Sequence, residues 1–199
     1  MQTIVKLITF TIGVTLVFSA CSNNQPTKIS KNNFEEKEMK KEALDAIKVV
    51  GGAFQKTLSS KISNGGLPNA ATFCSTNSHD LAQEVFKTLP QGISLKRITS
   101  KPRNPNNKAS KEELLVLNQL KNNFEKNQSL DMIVKQKSPN HYQVYKPIKV
   151  DAICLKCHGT NTIRDEKAYD IILKMYPTDK AIGYALNDFR GAFLVDIIK

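Results

Sequence analysis

The chain has 199 residues, 40% of them apolar, which is enough to build the core of one ordinary domain and too little for two large ones. Four cysteines are too few for a disulfide scaffold, and with no Trp, 9 Gly and 8 Pro the composition excludes collagen-like and low-complexity chains. Lys and Arg number 29 against 18 Asp and Glu; a formal charge of +11 favours acidic partners or anionic surfaces and says nothing about fold.

Residues 1–20 have the layout of an export signal: one positive charge at Lys6, an apolar run from Leu7 to Phe18 too short to span a bilayer, then Ser19-Ala20-Cys21. Small residues before that cysteine resemble a bacterial lipobox, although Phe18 stands where an aliphatic residue is usual. The expectation is a lipoprotein acylated at Cys21, held to a membrane by lipid in the cell envelope and facing the periplasm. Ser22 favours the outer membrane by analogy. Residues 21–34 are polar and aperiodic and read as a tether, which leaves 35–199 as the folded domain.

Glu35 to Ile62 reads as a long amphipathic helix, with Met39, Ala43, Ile47, Val50, Phe54 and Leu58 at three- and four-residue steps. Asn64-Gly65-Gly66-Leu67-Pro68 is a stop signal, and a second helix follows from Asn69 to Leu89. Ile93 to Thr99 alternates as a strand does, and Lys101 to Ser110 is a Pro- and Asn-rich loop. Ser110 and Glu113 form a capping box that opens a helix to about Lys126. Met132–Lys137 and Tyr142–Val150 read as antiparallel strands around a Ser138-Pro139-Asn140 turn. Asp165–Tyr176 reads as a short helix and Ala192–Ile198 as a closing strand. Helices gather early and strands late, without βαβ alternation, so the fold class is α+β around an antiparallel sheet.

Cys154-Leu155-Lys156-Cys157-His158 is the attachment motif of a c-type haem. Two thiols two residues apart reach the two vinyl groups of one porphyrin, and the next residue is directed at the iron. A thioredoxin-like redox pair would need a βαβ setting, and a zinc site a second ligand pair; the sequence offers neither. A disulfide between Cys154 and Cys157 would close a small, strained ring. The expected cofactor is therefore one covalent haem c, with His158 as an iron ligand. With lipid on Cys21 and haem on Cys154 and Cys157, Cys74 is left over. It is either a buried thiol packed as a small hydrophobe or an axial thiolate, and His79, His141, Met39, Met132 and Met175 are rival sixth ligands.

Phe73-Cys74, Arg97–Asn107 (RITSKPRNPNN), Tyr145–Ile148 (YKPI), Cys154–Gly159 (CLKCHG), Tyr176–Tyr184 (YPTDKAIGY) and Asp188–Ala192 (DFRGA) together resemble the Tll-like c-type haem domain family, over roughly residues 35–199. Members occur in periplasmic proteins and at the sensory ends of signalling proteins. The resemblance implies a PAS-like antiparallel sheet flanked by helices, with His and Cys as axial ligands; by position these are His158 and Cys74. Asn187 stands where Gly is expected, in a turn that Asn tolerates, and Ala109 stands where Pro is frequent.

Arg97 or Arg103 is expected to pair with a haem propionate, because a guanidinium fork suits a carboxylate. The expected role is redox or small-gas sensing; the alternative is an electron-transfer lipoprotein serving a periplasmic protein partner. No kinase, cyclase or methyl-accepting region follows Lys199, so a signal is expected to pass to a separate protein. An enzyme is not expected, since no distal His/Arg pair can be placed. Nor is nucleic-acid binding: the basic residues are scattered without interleaved aromatic platforms.

Overall fold

The structure is a computed structural model and describes residues 28–199 apart from 128. The export signal and the lipid attachment at Cys21 lie outside the described residues. The element order is α1 (Lys28–Thr76), α2 (Ser78–Phe86), β1 (Ile93–Ile98), α3 (Lys111–Asn127), β2 (Ile133–Ser138), β3 (His141–Lys149), α4 (Leu155–His158), α5 (Glu166–Met175) and β4 (Phe189–Ile198). The four strands form one antiparallel sheet in the order β1-β4-β3-β2, so the closing strand lies at the centre beside the first and third. The fold class is α+β, as expected.

Residues alternate between the two faces of the sheet, and each face has its own apolar layer. Leu95, Val144, Val195 and Ile197 face Met39, Ala43, Ala46 and Val50 of α1, with Val85, Phe86 and Leu89 from α2 and the segment after it closing the edge. Ile98, Tyr145, Ala192 and Leu194 face Val116, Leu117 and Leu120 of α3 on the other side. The capping box at the start of α3 is present: Glu113 N donates to Ser110 Oγ at 3.2 Å and Ser110 N donates to the Glu113 carboxylate at 2.8 Å. Among the described residues no helix is long and apolar enough to cross a membrane.

Four boundaries differ from the sequence reading, among them the start of β4, which lies at Phe189 rather than Ala192. Helix α1 begins at Lys28, inside the stretch read as a tether. At the Gly65-Gly66 stop the chain bends rather than leaving the helix for good. Gly66 (φ 70°, ψ −167°) occupies a region that only glycine enters without strain, and helical backbone resumes beyond it through Thr76. The predicted second helix is split at Asn77 and ends at Phe86, not Leu89. The bend has a consequence for packing. Residues before it lie on the sheet, while Leu67 and Ala71 beyond it pack against Ala168, Tyr169 and Ile172 of α5.

Candidate functional site

The haem-attachment motif is pinned from both ends. Val150, buried at the exit of β3, donates its N–H to Asp188 O and accepts from Asn187 N, each at 2.9 Å. Asn187 has φ 68°, the left-handed turn expected there. The chain then enters a 3-10 turn (Ala152–Cys154) that runs into α4, so Cys154, Cys157 and His158 lie on consecutive tight turns. After the motif, Asp165 donates its N–H to Lys156 O at 2.9 Å and caps α5 by accepting from Ala168 N at 2.8 Å.

His158 Nδ1 lies 2.6 Å from Ala181 O. A carbonyl oxygen only accepts, so Nδ1 carries the hydrogen and the Nε2 lone pair is left for a metal. Burial first, then the nearby Arg103 and Arg190, hold the imidazole well below its ordinary pKa; the ring is neutral, which is the ligating form. The carbonyl is itself fixed. Asp179 Oδ1 accepts from Ala181 N at 2.8 Å, Asp179 Oδ2 accepts from Arg103 Nε at 3.0 Å, and Arg103 Nη2 donates to Cys157 O at 2.7 Å. Arg103 thus ties the loop after β1 to the motif and to the residue that orients His158. Contacts of this kind set a ligand's tautomer and basicity.

That loop is rigid for local reasons. Asn104 Oδ1 caps the 3-10 turn Pro105–Asn107 by accepting from Asn106 N. Thr99 N donates to Asn107 O, and Ala109 N donates to Thr99 O at 3.1 Å. Ala109 therefore uses the N–H that a proline would lack, and its methyl group packs in the α3 layer.

Cys74 sits on the part of α1 beyond the bend. Solvent reaches it, so it is not the thiol packed as a small hydrophobe that the apolar stripe allowed. Protein nonetheless surrounds it: burial pushes the thiol up, while Arg103 and Arg97 pull it down, and Cys74 in turn acts on Cys157. Arg97 is near enough to act on the same thiol. The residue is exposed, yet burial, Arg190 and Arg103 lower its guanidinium to about 10, and among the described residues it makes no hydrogen bond or ion pair.

The rival ligands are elsewhere. His141 Nε2 bonds Asp196 at 2.8 Å at the hairpin end of β3. Met39 and Met132 pack in the α1 layer, Met175 is half-exposed at the end of α5, and His79 is exposed on α2. Among the described residues no three His, Cys, Asp or Glu side chains form a metal cage of their own. What is gathered is two thiols one turn apart, an imidazole with Nε2 available, a third cysteine nearby and three guanidinium groups, of which only Arg103 has a carboxylate partner among the described residues. In chemical kind this set fits a c-type haem. Asp179, Ala181, Tyr184 and Arg190 belong to the site as well, and sequence reasoning gave them no role.

Residues 28–197 match the family described as Tll0287-like: Tll0287. The chain belongs to the Tll0287-like family. The Tll0287-like span starts at Lys28, where α1 starts, and takes in Cys74, Arg97, Arg103, the attachment motif, Asp179 and Arg190. A solved structure, described as the crystal structure of the cyanobacterial heme-protein Tll0287, is 26% identical in sequence and covers 82% of this chain and 96% of its own, with a TM-score of 0.58. No curated protein matches the sequence.

Proposed function

We propose that this chain is a haem protein carrying one haem c, attached through Cys154 and Cys157 with His158 and Cys74 as axial ligands, and that it works in redox or small-gas sensing as a lipid-anchored protein on the periplasmic side of a membrane. The observation that carries the reading is the state of His158: hydrogen-bonded at Nδ1, neutral, with Nε2 left free by that bond, one residue after a thiol on which Cys74 acts. Membership of a family whose solved neighbour is a heme protein supports it.

When bound, the haem supplies a one-electron redox centre and, where an axial bond opens, a seat for a small gas. The residues of the chain do the rest. Cys154 and Cys157 would hold the group, each thiol adding across one vinyl group with sulfur on one carbon and hydrogen on the other, which needs no oxidant. Arg103 and Asp179 hold Ala181 O against His158 and keep the imidazole in one orientation. Cys74 offers a thiolate, which favours the oxidised metal. It stands on the helical stretch between the Gly65-Gly66 bend and the break at Asn77. Arg97, without a partner among the described residues, is the residue we assign to a propionate; Arg103 is already committed to Asp179 and Cys157 O.

The test is expression in a host competent for cytochrome maturation, with electronic spectra of wild type and Cys74→Ala, oxidised and reduced. Distinct spectra for the two support the thiolate, and identical spectra remove it. A colourless wild type with both motif thiols open to alkylation overturns the haem reading. The second reading, a tethered electron carrier, is favoured by the charge of +11, which suits docking to an acidic redox partner. Carbon monoxide binding to the ferrous form supports sensing; inertness with fast electron exchange supports transfer.

A further inference from the structure

Three guanidinium groups act on His158, and only one of them has a carboxylate partner. Arg103 is paired with Asp179. Arg97 is exposed. Arg190 is different from both: it is 7% exposed and makes no ion pair among the described residues. Burying an unpaired charge is costly, and hydrogen bonds satisfy its donors without cancelling the charge.

The fold holds this charge in place by several independent means. Phe189 and Ala192, three residues apart, pack in the same α3 layer, which strict alternation forbids. The register shift between Ile148 and Lys149 accounts for it and turns Arg190 to the opposite face. Gly191 (φ 134°) makes the turn possible, since a Cβ there would stand 2.4 Å from Ile98 O. Arg190 Nη1 donates to Thr99 Oγ1 at 3.0 Å and to Lys101 O at 3.4 Å, and Thr99 Oγ1 donates to Arg190 O at 3.0 Å. The guanidinium lies 5.1 Å from the ring centre of Tyr184, and that ring stands edge-on to the His158 imidazole, 6.4 Å between centres. A second cation, Lys101 Nζ, lies 4.4 Å from the centre of the same ring.

We propose that Arg190 is a potential-setting residue: a fixed positive charge beside His158 that stabilises the reduced, less positive state of the bound group and opposes the pull of the Cys74 thiolate toward the oxidised state. The proposal rests on the haem reading above. It concerns a residue that touches neither the attachment thiols nor the metal, acting through the field it sets up around His158 and Tyr184.

The experiment is a spectroelectrochemical titration of the holoprotein as wild type, Arg190→Gln and Arg190→Lys, each at low and high salt. For Arg190→Gln the expected result is a tenfold fall in the ferrous-to-ferric ratio at fixed potential, a midpoint about 59 mV lower for one electron. Arg190→Lys keeps the charge and is expected within twofold of wild type, about 18 mV by the same constant. Because the charge is buried, added salt leaves the difference in place. An Arg190→Gln midpoint within twofold of wild type overturns the proposal. So does Arg190→Lys falling as far as Gln, which assigns the residue to packing. Where Arg190→Gln gives no folded protein, Arg190→Lys decides alone: a midpoint within twofold of wild type supports the proposal, and a tenfold fall overturns it. A colourless wild type overturns both readings, whereas a coloured protein with an unmoved potential overturns this one only.

Discussion

On the sheet, side chains of α1, α2 and α3 fill two apolar layers in which Val144, Leu194 and Val195 are wholly buried. Around His158 the same chain places Arg103, Asp179, Arg190 and Thr99, and the apolar clusters there have only three buried members each: Ala71, Ala168 and Ile172 on one side, Val150, Ala181 and Tyr184 on the other. The first region is held by area removed from water, which is non-directional and tolerant of small shifts. The second is held by directional contacts between groups far apart in sequence, Arg103 to Asp179 and Thr99 to Arg190, which fix positions more than they add stability. A region built to orient a prosthetic group gives up core for geometry, so the two halves respond differently to substitution.

Asp179→Asn is expected to have the largest effect and to show it in the site half. The Asp179 side chain is fully buried and holds Arg103 Nε and Ala181 N on different oxygens. An amide meets one of the two donors with its own N–H, leaving Arg103 buried and unpaired, at about 3–5 kcal/mol by urea unfolding. The spectrum changes with it, because Ala181 O no longer holds His158. Replacing both Arg103 and Asp179 by leucine recovers part of the stability and none of the spectrum. Recovery of both would mean that the pair is mere packing and that the contrast between the halves is wrong. Next comes Leu194→Ala in the sheet half, at about 2–5 kcal/mol for the lost side chain and the cavity it leaves. Here the spectrum of the folded protein stays that of wild type. A shifted spectrum would show that the layers and the site are one mechanical unit.

The two halves were unequally legible in the sequence, for the same physical reason. Burial leaves a periodic signature, so Met39, Ala43 and Val50 announced their helix; capping and turn chemistry is local, so Ser110 and Glu113 announced the start of α3 and Ser138-Pro139-Asn140 the hairpin. The attachment motif was legible because its chemistry demands a local spacing. Asp179 was not, since it lies 76 residues from Arg103 and an ion pair has no period. Arg190 reaches the site through a register shift that a strand pattern does not foretell. Cys74 shows the limit most clearly. Its helical stripe pointed to a core position, but the Gly65-Gly66 bend carries that stretch off the sheet and onto α5, where Ala71 is buried and Cys74 is exposed.

The smallest expected effect sharpens the comparison from the sheet side, where charge is an accessory. Glu113 closes the capping box of α3 and also pairs with the largely exposed Lys96 at 2.7 Å. Burial alone would raise its carboxyl; the hydrogen bonds from Lys96 and from Ser110 outweigh burial and hold it below its ordinary value of 4.5. A carboxyl depressed by folding adds stability above its unfolded pKa and loses it as pH falls through the folded one. Glu113→Gln keeps a residue that still serves the capping box and removes only the charge. At neutral pH the wild type is therefore expected to exceed the variant by about 0.2–1 kcal/mol, the range of a partly exposed pair. Urea titrations carried below pH 4.5 should show the gap closing as the carboxyl protonates. A gap that persists in acid would mean that Glu113 acts through its shape in the α3 cap, and charge would then matter only in the half that holds His158.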